Sequence, residues 1–371
     1  MSVQEKLSAP GPKKLLALDG GGIRGLITLE YLLEIQRRLR EGAGRPDLVL
    51  ADYFDYVAGT STGAIIATCV SLGMTVEAIR EFYVSQGRAM FQKARFFEQV
   101  KHRYVAANLT AILQGRLGAE TTLGTENLRT LLLLVMRNAT TDSPWPLSNN
   151  PRATYNDPSR PDCNLKLPLW QLVRASTAAP TYFPPEVIDI AGSRFVFVDG
   201  AVTMYNNPSF LLFRMATLEP YKLCWPAGEE NLLLISIGTG LSARANKNLR
   251  PDQMNLLYNA GSVPSALIYA ASVEQDMLCR VFGKLRAGGV LDEEIGDLVG
   301  GAGVCSPKLF TYMRYDVDLS QESLDTLGLQ RVKARDVQPL QQVEHLEDLQ
   351  AVGRSAAQRD VRLEHFAGFV K

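Results

Sequence analysis

Residues 59–63 read Gly59-Thr60-Ser61-Thr62-Gly63, and this stretch separates an apolar run at 56–58 from a longer apolar segment at 64–72. A short apolar run bounded by glycine is typical of a buried strand, whereas the longer segment, which ends at a glycine, is typical of a helix. The order strand, tight turn, helix predicts that the two glycines let the chain turn sharply and raise the hydroxyl of Ser61 above the end of a sheet.

The same order of elements occurs earlier in the chain. An apolar run at 14–18 ends in Asp19 and Gly20-Gly21-Gly22-Ile23-Arg24-Gly25, and apolar residues then recur at helical spacing over 26–40. Two further apolar runs also end at glycine turns: 195–198 and 232–237. Strands that alternate with helices predict an α/β fold with a mostly parallel central sheet.

Composition narrows the possible function classes. Lys and Arg together number 39 and Asp and Glu number 39, so the formal net charge is zero. This balance argues against a protein whose main task is to bind a nucleic-acid polymer. Five cysteines without a Cys-x-x-Cys pair argue against a disulfide framework, and three scattered histidines argue against a metal centre. We therefore expect no metal and no cofactor.

No targeting segment is expected from the sequence as given. Residues 1–12 lack the apolar stretch of a secretory signal, and no apolar run approaches the roughly 18 residues that a membrane span requires. These patterns predict a cytoplasmic protein. Its 371 residues allow one large domain or two moderate ones.

The glycine turn at 20–25 has two interpretations. Its Gly-x-Gly-x-x-Gly spacing, after a strand and before a helix, is the fingerprint of a dinucleotide-binding oxidoreductase. That fingerprint needs an acidic residue at the end of a second strand, but Glu41 ends a helix and Asp47 precedes its apolar run. In the second interpretation, backbone N–H groups at the start of the helix bind the oxyanion that forms during acyl transfer.

A serine nucleophile needs a base, and Asp199 is the first candidate. It ends the apolar run 195–198 and begins the tripeptide Asp199-Gly200-Ala201. We expect Asp199 to end a parallel strand, because the ends of parallel strands are where α/β sheets gather functional residues, although Asp-Gly is also typical of an ordinary turn.

The alternative base is a histidine in a conventional triad. The order Ser61, Asp199, histidine is available with His345 or His365, whereas His102 precedes Asp199 in the chain. His345 falls within an apolar stripe at helical spacing that predicts an amphipathic helix, on which a histidine faces solvent. The stripe consists of Leu340, Val343, Leu346, Leu349 and Val352. This position argues against His345 as the base.

In order and spacing, these motifs resemble those of the patatin-like phospholipase family. Residues 19–25 resemble its glycine-rich oxyanion motif, residues 59–63 its nucleophile elbow, and residues 199–201 its catalytic Asp-Gly-Ala/Gly. The stretch 174–185 (Arg-Ala-Ser-Thr-Ala-Ala-Pro-Thr-Tyr-Phe-Pro-Pro) resembles the loop between elbow and aspartate. The resemblance implies a patatin-like three-layer α/β/α domain over 14–240, with a mainly helical C-terminal region over 241–371 packed on it as one unit.

The resemblance also implies a function and a role for each motif residue. The chain would be a lipid acyl hydrolase of the phospholipase A type, with Ser61 as nucleophile and Asp199 as proton acceptor in a dyad that needs no histidine. Gly59 and Gly63 would shape the elbow. The backbone amides of four residues would surround the oxyanion: Gly20, Gly21, Gly22 and Arg24.

Regulation and partners are implied by a narrower resemblance. Bacterial patatin-like proteins of this size include antiphage effectors that a cyclic nucleotide activates, and the sequence resembles them in its Asp-Gly-Gly-Gly-Ile-Arg-Gly motif. This resemblance implies a phospholipid substrate, a cyclic nucleotide activator and an oligomer as hypotheses.

Three segments interrupt the α/β pattern. Residues 88–104 are basic and aromatic with a net charge of +4, which predicts either contact with the inner face of the membrane or a core helix with solvated basic chains. Residues 142–168 contain six prolines and predict either a cover for the acyl pocket or an outlying loop. Residues 286–303 predict a surface loop, with a calcium site as the alternative. Candidate pocket walls are Trp170, Tyr182 and Phe183.

Overall fold

The structure is a computed structural model that describes residues 1–90, 106–180, 182–241, 250, 254–301 and 305–370. The strands in these ranges are β1 (Lys13–Leu18), β2 (Tyr56–Thr60), β3 (Leu131–Asn138), β4 (Ser143–Ser148), β5 (Glu186–Ile190), β6 (Ser193–Asp199), β7 (Leu232–Ile237), β8 (Lys284–Ala287) and β9 (Thr311–Tyr315). The α-helices are α1 (Val3–Ser8), α2 (Gly25–Ala43), α3 (Leu50–Tyr53), α4 (Thr62–Ser71), α5 (Val76–Met90), α6 (Ala106–Leu117), α7 (Leu169–Ser176), α8 (Ser209–Thr217), α9 (Leu256–Phe282), α10 (Gln321–Thr326), α11 (Ala334–Val337) and α12 (Leu346–Asp360).

The nine strands of the described residues form one sheet. Its order is β5-β6-β3-β2-β1-β7-β9-β8, and β4 also pairs with β3. The six strands β1, β2, β3, β7, β8 and β9 are parallel, and β4, β5 and β6 add antiparallel pairs. The predicted mostly parallel sheet is confirmed. The strand that carries Asp199 is antiparallel to its neighbours, however, and this corrects the expectation that Asp199 ends a parallel strand.

Helices cover both faces of this sheet. Leu16 and Leu18 of β1 pack into a core with α2, α4, α5, α6, α7 and α12, while Leu15 and Ala17 face the opposite core with α1, α8 and α9. Successive side chains of a strand point to opposite faces, so a strand covered on both sides reads as a continuous apolar run. The predicted three-layer α/β/α architecture is therefore confirmed.

Strands β2 and β6 approach the same edge of β3 from opposite ends. β2 pairs with the first part of β3 and ends with Thr60 opposite Val135, whereas β6 pairs with the last part and ends with Asp199 opposite Met136. β4 pairs along both parts of β3 and so occupies its other edge. The ends of β2 and β6 therefore meet at adjacent positions of one strand, and Ser61 comes to lie beside Asp199.

The C-terminal region departs from the prediction in two ways. Besides helices, it contributes β8 and β9 to the central sheet. The predicted amphipathic helix packs on α2 as expected, but it begins only at Leu346. Residues 338–345 are not helical, because Pro339 cannot continue the helical hydrogen-bonding pattern of α11. Leu340 and Val343 therefore lie outside the helix that their spacing predicted.

The interrupting segments are also placed. Residues 143–148 of the proline-rich segment form β4, and Trp145 packs against Phe195 and Phe197, so this segment is an outlying element of the sheet. In the acidic loop, Asp292 accepts hydrogen bonds from backbone amides of its own loop. Within the described ranges, no three His, Cys, Asp or Glu side chains are grouped so that they could hold a metal ion.

The basic segment 88–104 lies outside the described residues from position 91 onward, and so does His102. Its first three residues complete α5. In the part of the chain that the structure describes, no helix combines the length and the apolarity needed to cross a bilayer.

Candidate active site

A cavity of about 520 Å³ lies where β1, β2 and β6 end, and Ser61 and Asp199 both line it. The glycine turn that follows β1 forms another part of its wall. Functional residues of open α/β sheets gather outside the carboxyl ends of the parallel strands, and this cavity occupies that position.

The turn between β2 and α4 holds Ser61 in a strained backbone conformation. Its φ is 55° and its ψ is −122°, in a region that residues with a side chain rarely adopt. A Cβ at Gly59 would overlap the backbone of Gly63, and a Cβ at Gly63 would overlap the carbonyl of Leu18. Both flanking residues must therefore be glycine for α4 to begin so close to β1 and β2.

Asp199 is the hydrogen-bond partner of the Ser61 hydroxyl. Ser61 Oγ donates to Asp199 Oδ2 at 2.7 Å, and the backbone N–H of Ala201 donates to Asp199 Oδ1 at 2.8 Å. The Asp199 side chain is buried. Each carboxylate oxygen thus has one partner, and the carboxylate has a fixed orientation toward the serine.

Burial changes the acidity of this carboxyl group. Removal from water raises the pKa of Asp199 from 3.8 to about 6, although the hydrogen bonds from Ser61 and Ala201 and the positive charge of Arg174 oppose the rise. A charged form that loses hydration becomes a stronger base. Asp199 is therefore closer to the basicity that general-base catalysis near neutral pH requires.

The stretch 174–185 positions both residues of the pair. Ser176 Oγ accepts a hydrogen bond from the backbone N–H of Ser61 at 3.0 Å, and it donates to the carbonyl of Val135 at 2.5 Å. The carbonyl of Ala178 accepts from the backbone N–H of Asp199 at 3.0 Å. The end of α7 and the turn after it therefore connect the turn 59–63, β3 and the end of β6.

Of the four predicted oxyanion-hole residues, two have amides that are engaged elsewhere. The N–H of Gly20 donates to the carbonyl of Asn206 at 3.1 Å, and the N–H of Arg24 donates to the carbonyl of Gly21 at 3.3 Å. The N–H groups of Gly21 and Gly22 have no acceptor among the described residues, and both glycines line the cavity.

The C-terminal region closes one side of this glycine turn. The carbonyl of Leu340 accepts from the N–H of Ile23 at 2.8 Å, and the carbonyl of Gln338 accepts from the Arg24 guanidinium at 3.1 Å. Gly22 has a φ of +60°, and a Cβ at this position would overlap the Leu340 carbonyl. Glycine is therefore required here by both the backbone conformation and the close approach.

A buried ion-pair network lies behind the turn, and the sequence did not reveal it. The Arg314 guanidinium of β9 donates to both carboxylate oxygens of Asp19, at 3.1 and 2.7 Å, and also to Asp316 at 2.7 Å. All three side chains are at most 7% exposed. Asp19 of the glycine motif therefore serves to anchor the turn to β9. The sequence singled out Asp19 only because it belongs to the glycine-rich motif, and no sequence pattern singled out Arg314.

The cavity walls come from more elements than the motifs indicated. Tyr182 and Phe183 line the cavity as expected, but Trp170 does not. Further lining residues come from α5, α6, α9 and the segment after α11, and they include Tyr83, Met90, Leu109, Pro264, Ile268 and Leu340. These helices fold over the sheet from distant parts of the chain, so no local pattern singled them out.

Across its described residues, the structure supports neither a histidine base nor a dinucleotide-binding site, the two alternatives that the sequence left open. His345 Nδ1 lies 2.9 Å from Asp348, His365 Nδ1 lies 2.9 Å from the Tyr315 hydroxyl, and neither of these described histidines lines the cavity. A dinucleotide site needs an acidic residue at the end of the second strand. Here β2 ends in Thr60, and Ser61 follows it.

The sequence is similar to those of several known proteins. The chain is 30% identical over 245 residues to the cGAMP-activated phospholipase of Vibrio cholerae, an alignment that covers 61% of this chain and 64% of that protein. It is 28% identical to a second cGAMP-activated phospholipase, from Escherichia coli, with coverage of 61% and 62%. The chain thus spans less than two thirds of the length of these two relatives.

A third relative, patatin-like protein 1 of Oryza sativa subsp. indica, is 31% identical over 306 residues, which are 73% of this chain and 70% of that protein. The family model described as patatin-like phospholipase matches residues 16–212, just over half of the chain. This match contains the glycine turn 20–25, the turn 59–63 and the tripeptide Asp199-Gly200-Ala201. The chain belongs to the patatin-like phospholipase family.

Proposed function

We propose that this chain is a lipid acyl hydrolase of the phospholipase A type, in which Ser61 is the nucleophile and Asp199 the general base. The observation that carries the proposal is the 2.7 Å hydrogen bond from Ser61 Oγ to Asp199 Oδ2 inside the cavity. The strained backbone of Ser61 supports it, because such strain is concentrated at functional sites.

The chemistry follows from these two groups. Ser61 Oγ attacks the ester carbonyl carbon while its proton moves to Asp199 Oδ2. The tetrahedral intermediate collapses, the bond to the alcohol oxygen breaks, and the departing lysolipid takes the proton from Asp199. Asp199 then removes a proton from water, whose oxygen attacks the carbonyl carbon of the acyl–Ser61 ester. The bond to Ser61 Oγ breaks, Asp199 returns the proton to that oxygen, and the fatty acid leaves. The steps use no metal and no cofactor.

We assign stabilisation of the oxyanion to the N–H groups of Gly21 and Gly22. Among the four predicted residues, these two have amides without an acceptor in the described part of the chain. One such donor contributes roughly 2.7–4 kcal/mol to stabilising a transition state. Gly20 and Arg24 then shape the turn through their own backbone hydrogen bonds.

The substrate that fits this site is a glycerophospholipid ester. The cavity is lined by apolar side chains such as Ile65, Phe183 and Ile268, which suit an acyl chain, and the polar groups converge at Ser61. Two relatives are named phospholipases, which agrees with this substrate class. We place the reaction at the inner face of the cytoplasmic membrane, where the protein would bind peripherally.

Regulation by a cyclic nucleotide, in antiviral defence, is part of the same proposal. It rests on the two relatives that are named cGAMP-activated phospholipases. We further propose residues 14–240 as the catalytic domain. The C-terminal region, 241–371, would complete the cavity through α9 and the Leu340 segment, and the protein would act as an oligomer.

A serine-directed fluorophosphonate probe tests the nucleophile. We expect the wild-type chain to be labelled and Ser61→Ala not to be labelled, while Ser85→Ala, which changes an exposed serine of α5, is labelled like the wild type. Phospholipid hydrolysis is then measured with and without a panel of cyclic nucleotides. Absence of labelling at Ser61 under every condition would refute the hydrolase, and hydrolysis that no nucleotide changes would refute only the regulation.

A further inference from the structure

The first half of α9 carries no charged residue, and most of residues 263–269 within it are exposed. Residues 253–273 contain no charged side chain, and charge resumes only at Glu274. Val263 is 45% exposed and Leu267 is 64% exposed. Because they are four positions apart on a helix, their side chains lie on one face. An uncharged helix half with large exposed aliphatic side chains is unusual for a surface that faces only water.

This helix half forms part of the mouth of the cavity. Pro264, Ser265 and Ile268 of α9 line the cavity, and they are sequence neighbours of the exposed Val263 and Leu267. The turn at 200–202, directly after the proposed base, contacts α9. In that turn Val202 is 37% exposed, and Met204 beyond it is 52% exposed. We call Val202, Met204, Val263 and Leu267 the apolar rim.

We propose that the apolar rim is the surface by which the protein inserts into a phospholipid bilayer, so that an acyl ester passes from the lipid into the cavity without crossing water. This inference rests on the proposed function. A lipid surface fits better than a protein partner, because a protein seated on the rim would close the route between the substrate and Ser61. Aliphatic side chains without charge also match the acyl region of a bilayer.

The chemistry of the rim predicts how binding responds to salt. Attraction of basic side chains to anionic head groups is screened by salt, whereas burial of aliphatic side chains is not. Binding through the rim should therefore occur on vesicles of phosphatidylcholine alone and persist at high salt. Binding through the basic segment 88–104 would instead need anionic lipid and low salt.

The experiment compares three proteins: the unsubstituted chain, a double variant that carries both Val263→Ser and Leu267→Ser (the rim variant), and a matched control. Leu218 is 46% exposed and directly follows α8. In the turn that follows it, the carbonyl of Tyr221 accepts a hydrogen bond from the side chain of Asn150. Asn149, the neighbour of Asn150, accepts a hydrogen bond from the backbone N–H of Leu132 at the start of β3. The turn after Leu218 therefore lies at the end of the sheet opposite the cavity. Leu218→Ser thus removes a comparable apolar side chain far from the mouth.

Three quantities are measured for each variant. Binding to phosphatidylcholine vesicles is measured by sedimentation, with Ser61→Ala present in every chain so that no lipid is consumed. Hydrolysis of vesicle phospholipid and of a water-soluble short-chain ester is measured with Ser61 intact. We expect the rim variant to lose roughly tenfold in vesicle binding and vesicle hydrolysis, since two aliphatic side chains no longer enter the lipid. Its hydrolysis of the soluble ester stays unchanged, and Leu218→Ser resembles the unsubstituted chain.

Unchanged vesicle binding by the rim variant would overturn the inference. So would a change in its oligomeric state by light scattering, because the rim would then be an interface between copies of the chain. Failure of the proposed function has a different signature: neither substrate is hydrolysed by the chain with Ser61 intact, whereas the vesicle-binding measurement still decides the role of the rim.

Discussion

The backbone carbonyl of Leu340 accepts a hydrogen bond from the N–H of Ile23 at 2.8 Å, although the two residues lie at opposite ends of the chain. The glycine turn is therefore held from two sides, by Asn206 near the proposed base and by the C-terminal region. The arrangement of the amides at Gly21 and Gly22 depends on both contacts.

Arg24 tests the contribution of the C-terminal contact. Its guanidinium donates to the Gln338 carbonyl, so Arg24→Met should loosen the segment that carries Leu340 and misplace the amides of the turn. We expect kcat on a soluble ester to fall roughly tenfold to a hundredfold, with a smaller change in KM. Arg37→Met, on the exposed side of α2, which follows the turn, serves as the control and should leave kcat unchanged. A loss confined to anionic phospholipid would instead identify Arg24 as a head-group ligand.

The pH dependence of hydrolysis tests Asp199 as the base. Burial raises the pKa of Asp199 to about 6, and only the ionised carboxylate can accept the proton of Ser61. The rate constant kcat/KM on a soluble ester should therefore rise about tenfold per pH unit below that pKa and level off above it. A profile that remains flat from well below to well above pH 6 would argue against Asp199 as the base.

The same shift predicts a gain in stability when the carboxylate is removed. The pKa of Asp199 is higher in the folded chain than the ordinary 3.8, so the unfolded state releases its proton first, and the wild type loses stability as the pH rises from about 4 to 6. As the pH rises between these limits, the free energy of unfolding of Asp199→Asn should increase relative to that of the wild type by on the order of 3 kcal/mol. This value follows from the size of the pKa shift, since one pKa unit corresponds to about 1.4 kcal/mol.

Urea unfolding of the wild type and of Asp199→Asn, below about pH 4 and well above pH 6, measures this difference. At each pH, the free energy of unfolding of the wild type is subtracted from that of Asp199→Asn. The test is how much this difference changes from one pH to the other, because any effect of the amide that is independent of pH then cancels. A difference in unfolding free energy that is independent of pH would contradict a raised pKa at Asp199.

The buried network of Asp19, Arg314 and Asp316 predicts unequal costs. Asp19→Asn leaves Arg314 paired with Asp316, whereas Arg314→Met leaves two buried carboxylates without their cation. Breaking a buried ion pair costs about 3–5 kcal/mol, and we expect Arg314→Met to be the more costly change.

Lys284→Met is the control, because it removes an ion pair with Glu229 that is partly exposed and should contribute no more than about 1 kcal/mol. The free energies of unfolding come from urea titrations at one pH. If Asp19→Asn proved more costly than Arg314→Met, the network would not be organised around the arginine.

The order of elements could be predicted from the sequence because it depends on local patterns. Apolar runs that end at glycine turns located β1, β2, β6 and β7, and the close packing required at Gly59 and Gly63 explains why the turn motif is recognisable. The direction of β6 could not be predicted, because a buried strand has the same pattern whether it is parallel or antiparallel. The catalytic roles of Ser61 and Asp199 remain predictions.

The remaining parts of the site depend on contacts between distant residues. Arg314 lies 295 positions from Asp19, and the stripe around Leu340 has helical spacing although Pro339 and the contact with Ile23 hold that segment in another conformation. Spacing along the chain carries no information about such contacts, so the buried network and the cavity walls other than Tyr182 and Phe183 emerged only from the fold.

The meeting of β2 and β6 on one edge of β3 separates chemistry from selectivity. The distance between Ser61 and Asp199 follows from the pairing of β2 and β6 with a single strand, opposite Val135 and Met136, and from the stretch 174–185, which bonds to both residues. Under the proposed function, α5, α6 and α9 can therefore be remodelled for another acyl chain or head group while Ser61 and Asp199 keep their alignment. For an engineer, this scaffold offers a fixed pair of proposed catalytic residues inside an interchangeable pocket.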